Sequence, residues 1–152
     1  MKLTENLSLA EVTKSATAIR MSIANTPSAT HLIALKEVSK NIFQPCREHF
    51  GKPLAVTSGY RSEALNEAIN GSKTSQHSKG EALDLDADVF GGFSNAELFN
   101  YIKDHLDFDQ LIWEFGNNNN PAWVHCSYKT RGNRNEVLIA IKTNNQTTYR
   151  KL

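Results

Sequence analysis

One histidine and one aspartate, seven positions apart, have the residue types of a metal site. In the segment TSQHSKGEALDLDADV, residues 74–89, His77 precedes Asp84 and Gly80 lies between them. Imidazole and carboxylate groups are both good zinc ligands, and a zinc ion that keeps one open coordination position is typical of a catalytic site. Gly80 lets the chain turn tightly from the loop that carries the histidine to the strand that carries the aspartate. The segment therefore offers two candidate ligands of a metal site.

The spacing leaves open which aspartate would bind the metal. Asp84, Asp86 and Asp88 alternate onto one face of the strand predicted over residues 81–89. The small side chain of Ala82 leaves room on the face that looks towards a metal. With only two ligands, a solvated strand edge beside a surface histidine explains the segment better than a metal site does.

A third candidate ligand, His125, lies in the strand-like segment AWVHCSY, residues 122–128. A histidine in a central strand is often a core residue with satisfied hydrogen bonds, so His125 alone indicates little. The other histidines, His31, His49 and His105, lie on predicted helices or at their ends, where a solvent-facing or capping role accounts for them.

The elements that would position these residues combine helices with strands. Apolar residues at helical spacing and residues typical of helix starts and ends predict four helices. The first begins after Ser8 or Thr4, with Glu11 completing a capping box, and the others cover residues 29–50, 62–70 and 94–106. Strands are predicted over 54–58 and 81–89, followed by a meander of three strands over 110–115, 122–128 and 136–142. This order predicts an α+β fold in which N-terminal helices pack on a small, mainly antiparallel sheet.

Length and composition favour one globular domain over residues 1–152, with 39% hydrophobic and 22% charged residues. The formal net charge of +1 gives no electrostatic footprint for nucleic acid or for an anionic membrane, and no apolar run is long enough to span a bilayer. The N-terminal segment MKLTENLSLAEVTKS lacks the apolar region of a secretory signal. Cys46 and Cys126 are expected to be buried thiols, with Cys126 on the core side of its strand.

Three segments in a fixed order, SGYRS (58–62), SQHSKGEALD (75–84) and AWVHCSY (122–128), resemble the zinc D-alanyl-D-alanine carboxypeptidase family. That family includes the vancomycin-resistance D,D-dipeptidases and phage endolysins that cut the L-alanyl-D-glutamate bond, and its fold is shared with hedgehog signalling domains. Its pattern is S-x-H-x-x-G-x-A-x-D, followed later by a histidine flanked by tryptophan. The chain meets every fixed position of the first motif: Ser75, His77, Gly80, Ala82 and Asp84. The N-terminal part resembles the compact, single-domain branch of phages and gut bacteria, so the resemblance covers nearly the whole chain.

The resemblance implies one Zn²⁺ ion held by His77, Asp84 and His125, with water in the fourth position. It also implies that Arg61 holds a substrate carboxylate or stabilises the oxyanion of the tetrahedral intermediate. Ser75 matches a family position at the site and would contact the substrate backbone, although a hydroxyl that stabilises the local turn explains it nearly as well.

The chain departs from the family at the general base. The usual Glu or Asp three residues before the last histidine is replaced by Ala122. Glu114 is the predicted substitute, because a hairpin that pairs Glu114 with Trp123 and residue 112 with His125 places Glu114 on the His125 face. In the same register Trp123 would form a wall of the substrate cleft.

Two other acids, Asp86 and Asp109, are weaker candidates for the base. The replacement at Ala122 also keeps open the possibility that the protein does not catalyse hydrolysis.

The sequence as a whole predicts a zinc metallopeptidase that hydrolyses peptidoglycan stem peptides as a carboxypeptidase or an endopeptidase. The alternative is a catalytically inactive zinc-binding module that recognises peptidoglycan or a protein partner. No nucleic acid and no membrane insertion are expected, and the protein is expected to be a monomer. Because no signal peptide is visible, we expect synthesis in the cytoplasm and action on the cell wall, with release by a phage pore protein as one route.

Overall fold

The computed structural model describes residues 1–152 as six α-helices and eight strands. The helices are Leu9–Thr13 (α1), Ala16–Arg20 (α2), Ala29–Val38 (α3), Gln44–Phe50 (α4), Glu63–Ala68 (α5) and Asn95–His105 (α6). The strands are Lys2–Thr4 (β1), Leu7–Ser8 (β2), Ala55–Ser58 (β3), Ala82–Asp86 (β4), Gln110–Glu114 (β5), Trp123–Ser127 (β6), Glu136–Thr143 (β7) and Gln146–Lys151 (β8). Strands β1 and β2 form a small sheet, and the other six form a sheet with the order β3-β4-β6-β5-β7-β8. Only the β5–β7 pair is parallel, so the predicted α+β class with a mainly antiparallel sheet is confirmed.

Serine side chains start α1, α5 and α6, as the sequence indicated. The capping box of α1 is formed, since the Ser8 side chain accepts from the Glu11 N–H and the Glu11 carboxylate accepts from the Ser8 N–H at 2.7 Å. Ser62 and Ser94 cap α5 and α6 in the same way, each accepting a backbone N–H three residues on. None of the helices has the length and apolar content needed to cross a membrane.

The helix predicted over residues 29–50 is interrupted. A π-helical turn, Ser39–Phe43, separates α3 from α4, and the Gln44 N–H bonds back to the Ser39 carbonyl. Pro45 explains the break, because proline has no N–H to continue the α-helical ladder and its ring would clash with the carbonyl four residues earlier. The helix then ends as predicted at Gly51, which has a φ of +61°.

The last three strands do not form the predicted meander. Strands β5 and β6 form a hairpin, but β7 pairs in parallel with β5 rather than following β6. The reason is that the other edge of β6 is taken by β4. Strand β8, which the sequence did not reveal, pairs with β7 through a two-residue turn at Asn144 and Asn145, whose φ angles are +52° and +63°.

The main hydrophobic core lies against one face of the six-stranded sheet. Leu83 and Leu85 of β4 and Cys126 of β6 belong to it, together with residues of α3, α4 and α6. Cys46 and Cys126 are buried free thiols, as expected. Because side chains alternate along a strand, the residues between these core positions project from the opposite face. That opposite face carries Asp84 and His125, and it forms the base of the candidate site.

Candidate metal centre and cleft

Three predicted ligands come together on the open face of the sheet. His77 lies in a 3₁₀ turn, Gln76–Lys79, within a segment that the sequence indicated only as a loop. Asp84 lies in β4 and is paired directly with His125 of β6. Asp84 Oδ1 is 3.3 Å from His77 Nε2 and 3.0 Å from His125 Nδ1. All three residues are buried, and their ligand atoms lie within 4.8 Å of one another, so the group could hold a metal ion.

Local backbone geometry aims His77 at this group. The Ser75 hydroxyl accepts from the His77 N–H at 3.2 Å, and Gly80, with a φ of +75°, ends the turn. A Cβ atom at position 80 would meet the His31 carbonyl oxygen at 2.5 Å, so only glycine fits there. The Ser75 hydroxyl therefore stabilises the local turn, which is the alternative to substrate contact that the sequence left open. Ser75 also lines the cleft.

The Gly59 carbonyl fixes the tautomer of His77. Its oxygen lies 2.7 Å from His77 Nδ1, and because a carbonyl can only accept, Nδ1 carries the proton. Nε2 is therefore the ring atom that faces Asp84 and would bind a metal ion. Such a contact behind a ligand orients the ring and raises its basicity as a ligand.

Substituting Gly59 with alanine is expected to weaken zinc binding by about 10–100-fold, the usual cost of losing a contact behind a ligand. The added Cβ would overlap the Val12 carbonyl oxygen and come within 2.9 Å of Val12 Cα, so the Gly59 carbonyl must move. Zinc affinity is measured by competition with a chromophoric chelator. Gly51→Ala is the matched control, because its Cβ meets no atom within 4 Å and its φ of +61° strains the backbone far from the ligands. Equal zinc affinity in Gly59→Ala and the wild type would show that this carbonyl does not position His77.

The electrostatics of Asp84 suit a cation. Burial raises the pKa of its carboxyl, but the charges and hydrogen bonds of His77 and His125 outweigh burial and hold that pKa well below its usual value. Asp84 is therefore ionised at neutral pH, and its Oδ2 lies 3.7 Å from Arg61 Nη2. A buried set of two imidazoles and one carboxylate is a donor set that zinc prefers. The residues present fit a zinc ion.

Glu114 takes the position that the hairpin register predicted. It pairs with Trp123, and Ile112 pairs with His125, so Glu114 and His125 face the same cleft. Only 8% of Glu114 is exposed, and burial raises the pKa of its carboxyl to about 7; His125 and Arg61 oppose that shift, and Asp84 adds to it. A carboxyl that titrates near neutral pH can both accept and donate a proton there, which is what general acid–base chemistry requires.

The two weaker candidates for the base are each held by other hydrogen-bonding partners. Asp109 is fully buried and accepts hydrogen bonds from Arg134 Nη2 at 2.7 Å and from Gln76 Nε2 at 3.1 Å. Asp86 accepts from Asn95 Nδ2 at 2.9 Å, and it does not line the cleft. The carboxylate free to act beside the three ligands is Glu114.

Arg61 and Trp123 also line the cleft. Arg61 Nε donates to Ser58 Oγ at 3.2 Å, which holds the guanidinium between β3 and α5. Burial lowers the pKa of this guanidinium, whereas Asp84 and Glu114 raise it. Trp123 is half-buried, and its ring packs edge-on against Phe115 with the centroids 5.4 Å apart.

The cleft has a volume of about 1000 Å³ and extends beyond the residues that the sequence singled out. Leu138 of β7 and Tyr149 of β8 also line it. Both were missed because β7 was expected beside β6 and the polar segment QTTYRK was not recognised as a strand. The sequence signal that could have revealed them is the Asn144-Asn145 pair, a typical hairpin turn between two extended segments.

A comparison with known protein families identifies the family of this chain. Residues 5–127 match the Peptidase M15 family, whereas no curated protein matches the chain. The matched segment includes His77, Asp84, Glu114 and His125 and ends before β7. It covers most of the 152 residues, and it confirms at family level the resemblance drawn from the three motifs. The chain belongs to the Peptidase M15 family.

Proposed function

We propose that this protein is a zinc-dependent peptidase that hydrolyses peptidoglycan stem peptides. Family membership supports a peptidase, and the zinc dependence of the M15 family agrees with the cluster of two histidines and one aspartate. The observation that carries the proposal is the position of Glu114, which shares the cleft and the sheet face with His125.

Each residue of the site has a defined task in this proposal. His77 Nε2, Asp84 Oδ1 and His125 Nδ1 would hold the zinc ion. When bound, zinc lowers the pKa of water and polarises a carbonyl group. Glu114 accepts the proton of the attacking water and donates it to the amine nitrogen of the leaving group. Arg61 places a fixed positive charge beside the cluster, where it binds a substrate carboxylate or the developing oxyanion.

Two cations of the cleft support a substrate with a free carboxylate. Arg61 lies beside the ligand cluster and Lys79 also lines the cleft. Lys129 and Arg134 line it too, but both are paired with Asp109. Peptidoglycan stem peptides carry free carboxylates, which such cations attract. The proposal includes both carboxypeptidase and endopeptidase action on these peptides, and Trp123 and Ser75 are proposed to contact the substrate.

A second candidate is a zinc-binding module that recognises peptidoglycan or a protein partner without hydrolysing a bond. It is favoured by one observation, the alanine at position 122 where the family usually has an acid.

Chromatography of purified muropeptides separates the two candidates. The zinc-loaded protein is incubated with muropeptides beside a chelated sample, and the products are identified by mass. A peptidase gives new products that chelation abolishes and added zinc restores. Intact muropeptides after incubation with stoichiometrically zinc-loaded protein would instead favour the binding module.

A further inference from the structure

The C-terminal hairpin of β7 and β8 extends the candidate site beyond the segment that matches the family. The matched residues end at 127, whereas β7 begins at Glu136 and β8 ends at Lys151. Strand β7 lies beside β5, the strand that carries Glu114, and β8 lies beside β7. The face of the sheet that bears the candidate ligands therefore continues onto two strands that the family match does not include.

Strand register aligns Tyr149 with Glu114. Glu114 pairs with Ala140, and Ala140 pairs with Tyr149, so the three residues form one row on the same face. Neighbouring strands are about 4.8 Å apart, which puts the backbones of Glu114 and Tyr149 about 10 Å apart. The residue between them in this row, Ala140, has only a methyl side chain and is 2% exposed. The cleft is therefore lined by an acid on β5 and by a phenol on β8, two strands away.

The part of the cleft next to this row is apolar. Ile112, Leu138 and Ala140 form a small hydrophobic cluster separate from the main core, and Phe115 packs against it. Leu138 and Ile112 occupy the next row of the same face, because Ile112 pairs with Leu138. Ile112 and Leu138 line the cleft, so they offer an apolar side chain a contact beside the candidate catalytic group.

Tyr149 has unused binding capacity. It lines the cleft, yet 57% of it is exposed, and neither its ring nor its hydroxyl has an aromatic or hydrogen-bonding partner in the chain. Burial, with the charges of Glu114 and Asp84, raises the pKa of its hydroxyl, which therefore stays protonated at neutral pH and can donate a hydrogen bond.

We propose that Tyr149 contacts the substrate, with its ring against an aliphatic side chain of the peptide and its hydroxyl donating to a peptide carbonyl oxygen. The aliphatic side chain lies on Ile112 and Leu138, on the Glu114 side of the ligand cluster. This inference rests on the proposed function, because it places a peptide in the same cleft. It makes the C-terminal hairpin a specificity element for the residue next to the bond that is cut.

Kinetics of Tyr149 variants test the proposal. Tyr149→Phe removes one neutral hydrogen bond and is expected to raise KM about three- to tenfold, and Tyr149→Ala is expected to raise it more, since the ring is lost as well. The kcat value should change little, because Tyr149 does not transfer the proton. Thr148→Ala is the matched control, since Thr148 pairs with Ile141 and projects from the other face of the same strand. A wild-type KM in Tyr149→Ala would overturn the proposal.

A binding measurement separates this inference from the proposed function. Muropeptides are titrated calorimetrically into zinc-loaded Glu114→Gln and into the double variant that also carries Tyr149→Ala. Weaker binding in the double variant supports the subsite, even if the wild-type protein hydrolyses no muropeptide and the proposed peptidase activity fails. Zinc-dependent hydrolysis, with Kd and KM unchanged by the Tyr149→Ala substitution, would support the peptidase and reject the subsite. Absence of both hydrolysis and binding would reject both.

Discussion

Glu114→Gln is expected to lower the kcat of muropeptide hydrolysis by about 10²–10⁴-fold, the usual contribution of a general acid–base group. Glutamine keeps the size of the side chain but cannot accept a proton from water or return one to the leaving amine. The buried position of Glu114, with a pKa of about 7, makes it the group suited to both transfers near neutral pH. The rate is measured by chromatography of the products at saturating substrate, and zinc content is measured on the same samples.

Zinc should remain bound in this variant, because the proposed ligands are His77, Asp84 and His125. Glu81→Gln is a matched control, since Glu81 lines another part of the cleft and carries the same change of charge. Its activity should stay close to that of the wild type. Undiminished hydrolysis by Glu114→Gln would assign the proton transfer to a different residue.

The Glu114→Gln substitution also changes how the stability of the metal-free protein depends on pH. Folding raises the pKa of Glu114 from 4.5 to about 7, so the folded state holds this proton more tightly than the unfolded state. Stability therefore falls as the pH rises through this interval and levels off above it. Glutamine has no such loss, and the free energy of unfolding of Glu114→Gln relative to the wild type should rise by about 2–3 kcal/mol between pH 4 and pH 8. Chemical denaturation of chelated samples measures the difference.

The position of Glu114 could be predicted because short-range rules determine it. A six-residue turn joins QLIWEF to AWVHCSY, and side chains along each strand alternate between the two faces of the sheet. A hairpin in which Glu114 pairs with Trp123 buries one alternating set in the core and leaves the other on the cleft face. A shift by one residue would put Glu114 into the core, so hydrophobic burial selects the register.

The C-terminal part of the cleft could not be predicted in the same way. The partner of β7 depends on which sheet edge is free, and that edge is determined by the long-range pairing of β4 with β6. Strand β8 is an exposed edge strand, and all six of its residues are exposed, so no apolar alternation identifies it. The row from Glu114 to Tyr149 therefore becomes apparent only when the sheet order is known.

The choice among the alternating aspartates also illustrates this limit. Spacing puts Asp84 and Asp86 on one face, but β4 ends at Asp86, and Asp88 lies in the turn that follows. Only Asp84 has a histidine directly opposite on the neighbouring strand. That pairing depends on the register of β4 with β6, which the spacing of the aspartates does not determine.

Asp84→Asn is therefore expected to weaken zinc binding by more than about 100-fold, above the 10–100-fold range for groups that only support a ligand. Asp84 Oδ1 lies 3.3 Å from His77 Nε2 and 3.0 Å from His125 Nδ1, and a neutral amide there loses the negative charge that complements a dication. Hydrolysis should be lost together with zinc. Affinity is measured by competition with a chromophoric chelator, and bound metal by elemental analysis.

Asp86→Asn is the matched comparison, with the same chemical change two positions along the same strand. The Asp86 carboxylate accepts from Asn95 Nδ2 at 2.9 Å and from the Asp88 N–H at 3.0 Å, so its task is to hold the turn after β4. Its loss should lower thermal stability while zinc affinity stays at the wild-type level. If Asp86→Asn lost zinc and Asp84→Asn kept it, the proposed ligand set would be wrong. The pair thus decides between the aspartates that spacing alone leaves equivalent.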